Sequence, residues 1–395
     1  MSATVALACL QGHATHPDPH MALALAAAQI DAQRASRPGF QPTLALFYLT
    51  EAYAPQAEAL LADVGQRWPG VQVVGTVGVG IAAGDAEYWD EPALALLLMD
   101  LPRAQFSVFS GRQPLAEAGA AAHWTALVHA DPSTPDLAEL IGEQAGRTGS
   151  GQLFGGVASA RNRPVQLANG VYTGGLSGVA FGPWVGLVSR MTQGCQPIGP
   201  TRSITASERN LVFELDGQPA LPALLADLDM PLDPPEQLVR RLRSVLAGLT
   251  DAGDRPHGRG GQFGIDTRVR HLVGLDPARQ AVADWVMTGQ QLAFCQRDVA
   301  AARRDLVRLC AEIREELAGD EAEGVPPRQL VGAVYISCTG RGGAHFGGPS
   351  AELQILRHAL GEVPLVGFFA AGEITGHHLV SYTGVLTVFT TEAGA

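Results

Sequence analysis

The chain of 395 residues contains no lysine, so all 27 of its basic residues are arginine. A Schiff-base lysine, as in pyridoxal-phosphate enzymes and lysine-dependent aldolases, is therefore excluded. The lysine of a Walker A phosphate loop and the strand lysine of a protein kinase are excluded on the same ground. Any anion that this protein binds must be held by arginine side chains or by backbone N–H groups.

Positive charge is scarce overall, because 39 acidic residues give the chain a formal net charge of −12. Nucleic acid and anionic membrane surfaces both require clustered cations, so we expect neither as a main partner. The apolar stretch from Val5 to Leu10 is too short for a signal peptide and lacks a basic flank. No stretch approaches the roughly 20 apolar residues that cross a bilayer. We therefore expect a cytoplasmic, bacterial protein.

Cysteine is also scarce and follows no pairing pattern. The five cysteines are odd in number, widely spaced and without a CxxC pair. This pattern fits a reducing compartment and gives no zinc or disulfide framework. We therefore predict no metal and no cofactor. The residues are Cys9, Cys195, Cys295, Cys310 and Cys338.

Three segments of the chain follow the same order: strand, helix, a strand ending at glycine, a loop, a tyrosine and a further strand. Such an internal match predicts a duplicated α/β unit, although generic strand–helix–strand order could also look self-similar. The predicted elements are 44–49, 56–66, 71–74 and 93–99; 125–130, 137–145, 152–154 and 175–181; 331–338, 351–360, 364–366 and 385–389.

Apolar strands beside amphipathic helices predict an α/β fold, with α+β as the alternative. We expect layered helices on mixed β-sheets built from a repeated strand-helix-strand-strand unit. The length suits two domains, which we expect to be pseudo-related. Their predicted bounds are residues 1–218 and 219–395, with a linker at 231–235 and a mobile loop at 251–264 between the repeated segments.

One glycine-rich loop, residues 338–347 and named here the arginine loop, follows a predicted buried strand and precedes a predicted helix. Ligands of open α/β sheets bind beyond the carboxyl ends of strands. Arg341 and the loop N–H groups would suit a carboxylate, whereas a tight turn with a surface arginine is the alternative. The candidate ligand-binding residues here are Cys338, Thr339, Gly340, Arg341, Gly342, His345 and Phe346.

A second glycine-bounded segment contributes the candidates Gly367, Phe368, Gly372 and Glu373. It would lie beside the arginine loop if the two preceding strands are neighbours. Glu373 could then receive an ammonium group while Arg341 holds a carboxylate, which together describe an amino-acid-like ligand. An ordinary turn and salt bridge are the alternative.

Catalytic and metal-binding interpretations are weaker. Cys338 is a weak candidate for a nucleophile or redox thiol, because its spacing to His345 matches no known catalytic signature. Adjacent histidines in a strand point to opposite faces, so at most one of His377 and His378 could join Glu373 at a metal. A third glycine-containing segment supplies secondary candidates, Gly194 and Cys195, as either a turn or a pocket wall.

At these segments the chain resembles FIST proteins, over nearly its whole length. The series of motifs in order is more specific than any one of them, although Thr339 stands where the family usually has asparagine. The motifs lie at 74–75, 154–156, 194–199, 214–220, 273–277, 289–290, 297–298, 338–342, 345–347, 366–369, 372–374 and 381–383.

The resemblance implies a sensory, small-molecule-binding module for signal transduction, proposed for ligands such as amino acids and without an established catalytic activity. It adds Arg297 to the secondary candidates and implies that a signalling partner protein is possible. Alternatives are a cysteine-based enzyme or redox protein using Cys338, and a protein-interaction scaffold that docks a partner through Phe368 and Phe369.

Overall fold

The computed structural model describes residues 7–115, 123–228, 244–253, 263, 267–276, 279–282, 285–320 and 324–392. The predicted mixed α/β fold with two domains is confirmed. Unit 1 comprises residues 1–192 and 306–395, and unit 2 comprises residues 193–305. In the described part of the chain, no helix is both long and apolar enough to cross a membrane.

The described residues contain six α-helices and 26 strands. The helices are α1 (Pro19–Arg34), α2 (Ala57–Arg67), α3 (Leu137–Gly146), α4 (Ala220–Asp227), α5 (Val299–Leu317) and α6 (Ala351–Leu360). The strands are β1 (Ala8–Thr15), β2 (Leu44–Thr50), β3 (Gln72–Gly78), β4 (Gly80–Ala83), β5 (Ala86–Trp89), β6 (Ala93–Asp100), β7 (Phe106–Phe109), β8 (Thr125–Ala130), β9 (Gln152–Val157), β10 (Gln166–Ala168), β11 (Val171–Tyr172), β12 (Leu176–Phe181), β13 (Gly186–Gln193), β14 (Cys195–Pro197), β15 (Arg202–Glu208), β16 (Leu211–Leu215), β17 (Gln218–Pro219), β18 (Val245–Thr250), β19 (Arg268–Asp276), β20 (Arg279–Val282), β21 (Gln291–Arg297), β22 (Arg328–Cys338), β23 (Leu365–Ala370), β24 (Glu373–Gly376), β25 (His378–Val380) and β26 (Thr383–Glu392).

Unit 1 is built from three six-stranded sheets with the same strand arrangement. Their orders are β1-β6-β2-β3-β10-β11, β7-β12-β8-β9-β24-β25 and β13-β26-β22-β23-β4-β5. At the centre of each sheet is a parallel pair, β2 with β3, β8 with β9 and β22 with β23, connected through α2, α3 and α6. The three segments that match in sequence therefore occupy equivalent places, while their origin by duplication stays a prediction.

Each sheet is completed by a hairpin that follows a central strand of another sheet. Hairpin β4–β5 follows β3 but pairs with β23, and hairpin β10–β11 follows β9 but pairs with β3. Hairpin β24–β25 follows β23 but pairs with β9. The exchange is cyclic, so each sheet gives one hairpin and receives another.

The central strands are buried on both faces, which explains their uninterrupted apolar sequences. In β2, Leu44, Leu46 and Tyr48 face a core that the three sheets share, whereas Phe47 and Leu49 face helices. Within the shared core, the hydroxyl of Tyr48 lies 3.1 Å from Nε2 of His129. Burial lowers the pKa of His129 to about 3, so this imidazole is neutral at physiological pH.

One glycine at the same place in each central pair permits close strand packing. Gly75 lies opposite Phe47, and Gly367 lies opposite Tyr335. A Cβ atom added at either glycine would overlap the carbonyl oxygen of the facing residue, as would one at Gly155 in the remaining pair. These positions therefore require glycine for steric reasons.

Unit 2 is organised around antiparallel strands. The pairings β21–β15, β15–β16, β16–β20, β20–β19, β19–β18 and β18–β21 close into a ring, which is the topology of a six-stranded barrel. Its buried core includes Ile204, Val212, Leu249 and Phe294, and Leu224 of α4 packs against it.

The compact units divide the chain differently from the bounds predicted by sequence. Both the beginning and the end of the chain belong to unit 1, and all three repeated segments lie there. The domain bounds at 1–218 and 219–395 stay a prediction. The predicted linker at 231–235 and most of the predicted loop at 251–264 lie outside the described residues.

We expect Gly367→Ala to lower the free energy of unfolding by about 3 kcal/mol or more, because the added methyl overlaps backbone that cannot move alone. Urea denaturation measures the loss. Gly142→Ala in α3 is the control, since nothing lies within 4 Å of its added Cβ. That variant should gain about 0.5–1 kcal/mol. An unchanged midpoint for Gly367→Ala would contradict the steric argument.

Candidate functional site

The arginine loop begins where β22 ends, and its arginine is buried in an ion pair. Arg341 is 1% exposed and Glu352, in the first turn of α6, is 0% exposed. Nε and Nη2 of Arg341 donate to Oε1 of Glu352 at 3.0 and 2.8 Å. The hydroxyls of Tyr335 and Ser337 donate to the same carboxylate at 2.6 and 2.9 Å. Burial disfavours the charged guanidinium, yet Glu352 holds the pKa of Arg341 above its ordinary value.

Several backbone N–H groups of the arginine loop are already engaged. Those of Thr339 and Arg341 donate to the carbonyls of Ala370 and Cys338 at 2.9 and 2.8 Å. The N–H of Gly343 donates to Glu87 of hairpin β4–β5 at 2.9 Å. These three groups are therefore not directed at a ligand.

Hairpin β4–β5 packs directly on the arginine loop. The ring of Trp89 packs against that of Phe369 at a tilt of 34°, with centroids 4.1 Å apart, and a Cβ atom at Gly342 would overlap both rings. The side chain of Glu87 also accepts from Nε1 of Trp89 at 3.2 Å. Burial raises the pKa of Glu87, and the nearby carboxylate of Glu352 adds to this effect.

The carboxylate of Glu373 lies beside Cys338 with one oxygen unsatisfied. Oε2 accepts from the N–H and the hydroxyl of Thr383 at 3.1 and 2.7 Å. Oε1 is buried and accepts no N–H or O–H among the described residues. Burial raises the pKa of Glu373 to about 8, an effect that Thr383, Arg341 and the Cys338 thiol partly offset.

The structure brings together some of the predicted residues and separates others. Parallel pairing places Cys338 opposite Ala370, so the arginine loop and the segment leading to Glu373 are neighbours. The guanidinium of Arg341 lies over Phe346, 5.2 Å from the ring centroid, while His345 is half-buried beside the same ring.

Phe368 points elsewhere, into the core shared by the three sheets. Its ring stacks on Tyr48 at 5.4 Å, while the neighbouring Phe369 faces the arginine loop. Both phenylalanines are buried in β23, so neither offers an exposed docking surface. Gly372 lies at the turn before Glu373, where its carbonyl accepts the N–H of Val157 at 2.8 Å.

The secondary candidates lie in unit 2. Cys195 of β14 is buried and pairs in register with Arg297 of β21. The carbonyl of Gly194 accepts the N–H of Asp298 at 3.0 Å. Cys195 and Arg297 belong to a strand pair of unit 2, and Gly194 directly precedes the first of these strands. The arginine loop belongs to unit 1.

Sequence reasoning missed the partners that determine the chemistry of the loop. Glu352 could have been noticed, because an acidic residue in the first turn of a helix lies close to the preceding loop. Tyr335 and Ser337 are two residues apart in β22, so their side chains point to the same face of the sheet. The otherwise apolar sequence of this strand makes that polar pattern hard to recognise. No local pattern indicates Glu87 or Trp89, which arrive from a distant hairpin.

A surface cleft of about 340 Å³ lies in another part of unit 1. None of the residues predicted to bind a ligand lines it. Its lining residues are Gln11, His13, Gln33, Gly84, Asp85, Leu356, Arg357, Leu360, Gly361, Glu362, Val363, Pro364 and Leu365.

The environment of Cys338 does not activate its thiol. Burial and the carboxylate of Glu373 raise the pKa of Cys338 to about 12, whereas a nucleophilic thiol requires a lowered pKa. In the described part of the chain, no three His, Cys, Asp or Glu side chains are grouped to hold a metal ion.

The chain belongs to the FIST family, whose domains are generally sensory or signal-transduction domains. The FIST N domain matches residues 43–218 and the FIST C domain matches residues 225–376. The chain is 31% identical over 407 residues to the uncharacterized protein Rv0628c of Mycobacterium tuberculosis, covering 96% of this chain and 98% of the relative. It is 29% identical to the uncharacterized protein Mb0898c of Mycobacterium bovis over 391 residues, 92% of each chain.

We expect Glu352→Gln to cost about 3–5 kcal/mol, because it leaves the buried guanidinium of Arg341 without a counter-charge. Arg341→Met should cost a similar amount, and the double variant should cost less than the sum. Chemical denaturation of the four proteins gives the coupling energy. Arg161→Met is the control, since its pair with Asp90 is exposed and should matter little. Additive losses would contradict the pairing.

We expect Cys338 to react no faster with iodoacetamide than Cys9 or Cys310 in the native protein at pH 7.5. Burial raises all three pKa values to about 12 from 9, which lowers the thiolate fraction about 1000-fold. Labelling followed by mass spectrometry compares the sites, with guanidinium-unfolded protein as the control. Selective fast labelling of Cys338 would support the enzyme or redox alternative instead.

Proposed function

We propose that this protein is a sensory protein that binds a small metabolite bearing an ammonium and a carboxylate group, such as an amino acid, between the arginine loop and Glu373. The observation that carries the proposal is the buried Oε1 of Glu373, which accepts no N–H or O–H among the described residues. An unsatisfied buried polar atom costs about 1–3 kcal/mol, and a ligand N–H group would remove that cost.

An ammonium group suits this position better than a neutral donor. Burial holds the pKa of Glu373 near 8, so much of the carboxyl is protonated at neutral pH. A cation beside it would favour the ionised form and replace the solvation that burial removed. The Thr383 hydroxyl and N–H already fix Oε2, so the carboxylate is held in place for a ligand at Oε1.

Arg341 is the group proposed to receive the ligand carboxylate. Two of its nitrogens are bound to Glu352, while Nη1 makes a longer contact, 3.5 Å, with the carbonyl of Tyr382. A carboxylate is a stronger acceptor for Nη1 than that carbonyl. The ion pair with Glu352 would orient the guanidinium for this contact.

Access to the site requires motion of the arginine loop. Arg341 and Glu373 are at most 1% exposed, and Trp89 with Glu87 covers the loop from the side of β5. A ligand therefore reaches Oε1 of Glu373 only if the residues that bury it move. A loop that closes over a metabolite is a conformational change that a signalling partner protein could detect.

We expect an amino acid or a related amine from a screening panel to raise the melting temperature, and Glu373→Gln to abolish the shift. A ligand at 100 times its Kd adds about 2.7 kcal/mol to the free energy of unfolding. Glu139→Gln, at an exposed position of α3, is the matched control. Organic acids without an amine should have less effect. No stabilisation by any amine would contradict the proposal.

We also expect ligand binding at pH 7 to release about one proton, because an ammonium converts protonated Glu373 to its ionised form. Calorimetry in buffers of different ionisation enthalpy measures the release. Without ligand, the raised pKa contributes stability that is fully present below about pH 4.5 and is lost as pH rises through about 8. Glu373→Gln should remove this dependence, and a pH profile that it leaves unchanged would contradict the assignment.

A further inference from the structure

The surface cleft of unit 1 has the size and construction of a ligand site separate from the arginine loop. Its volume of about 340 Å³ lies within the range of small-molecule pockets. Residues of β1 and α1 form one side, and the end of α6 with residues 361–365 forms the other. Gly84 and Asp85, at the tip of hairpin β4–β5, close a third side.

Hydrogen bonds hold the cleft walls in place. Oε1 of Gln11 accepts the N–H of Leu365, and the N–H of Gly84 donates to the carbonyl of Leu365 at 2.8 Å. The amide of Gln33 binds the backbone of Gln11 through both its oxygen and its nitrogen, at 3.2 and 2.6 Å. The polar groups of the cleft are therefore positioned before a ligand enters.

Negative charge predominates in the cleft. The carboxylates of Asp85 and Glu362 share one cation, the half-exposed guanidinium of Arg357. The cleft also contains Leu360 and Gly361, where α6 ends and its dipole places partial negative charge. Burial lowers the pKa of His13, more than the charge of Asp85 raises it, so the imidazole adds no positive charge at neutral pH.

Neutral hydrogen-bonding groups also face this space. Nδ1 of His13 lies 2.6 Å from the hydroxyl of Tyr88, and Nε2 has no hydrogen-bond partner among the described residues. Nε2 of Gln11 also has no hydrogen-bond partner among the described residues, and it lies near Gly84. Leu356 and Leu360 supply an apolar wall beside these polar atoms.

We propose that this cleft binds a small primary amine with a short apolar body. The ammonium would lie between Asp85 and Glu362, in competition with Arg357, and the apolar body would lie against Leu356 and Leu360. An anionic ligand is disfavoured, because Arg357, the arginine among the described lining residues, is already neutralised by two carboxylates. The assignment is independent of the proposed role of Glu373.

Three molecules of equal chain length test the chemistry of the cleft. Titration of the full-length protein with n-butylamine should show saturable binding with a Kd on the order of millimolar, as expected for a ligand of five heavy atoms. n-Butanol and butyrate should bind at least about fivefold more weakly. Absence of saturable n-butylamine binding, or equal binding of the other two, would overturn the proposal.

Variants of the charged cleft residues test where the ammonium group binds. Asp85→Asn should weaken n-butylamine binding about fivefold, whereas Arg357→Ala should strengthen it by a similar factor, because a competing cation is removed. Weaker n-butylamine binding in Arg357→Ala would contradict the proposed competition between the amine and the guanidinium. Glu139→Gln controls for net charge. An n-butylamine affinity that neither Asp85→Asn nor Arg357→Ala changes would show that the amine binds outside this cleft and would overturn the proposal.

Discussion

The cyclic exchange of hairpins is the constraint on which the rest of unit 1 depends. In each of its three sheets, one strand of the parallel central pair also pairs with a hairpin that comes from another sheet. Without that hairpin, β3, β9 and β23 would be open edges with unpaired N–H and carbonyl groups. No single segment can therefore satisfy its own backbone hydrogen bonds, and the three sheets must assemble together around their common core.

The same exchange assembles both candidate sites. Hairpin β4–β5 brings Glu87 and Trp89 to the arginine loop, while its tip brings Asp85 to the cleft. Helix α6 contributes to both places, with Glu352 in its first turn and Arg357 toward its end. Because α6 is about 15 Å long at 1.5 Å per residue, one short rigid element connects the buried ion pair with the surface cleft.

The sequence revealed the local elements but not their pairing. Runs such as residues 44–50 are recognisable because burial on both faces makes every position apolar. The exchange is invisible to such patterns, since the partner of β4 lies nearly 300 residues away in β23. Arg341 illustrates the same limit. Its glycine neighbours predict a loop, but its burial depends on Glu352, Tyr335 and Ser337, which local spacing does not connect.

The chain has only arginine for side-chain cations, apart from protonated histidine. A comparison of two of its buried carboxylates, Glu352 and Glu373, is therefore informative. Glu352 is fully explained by folding, since Arg341, Tyr335 and Ser337 satisfy both of its oxygens. Glu373 is equally buried, yet one oxygen accepts no N–H or O–H from the described residues and its pKa is raised to about 8. A glutamine or an apolar residue would lower the cost of folding at that position. Folding alone therefore explains the carboxylate of Glu352 but not that of Glu373. For this reason the proposed ligand binding rests on Glu373 more than on Arg341.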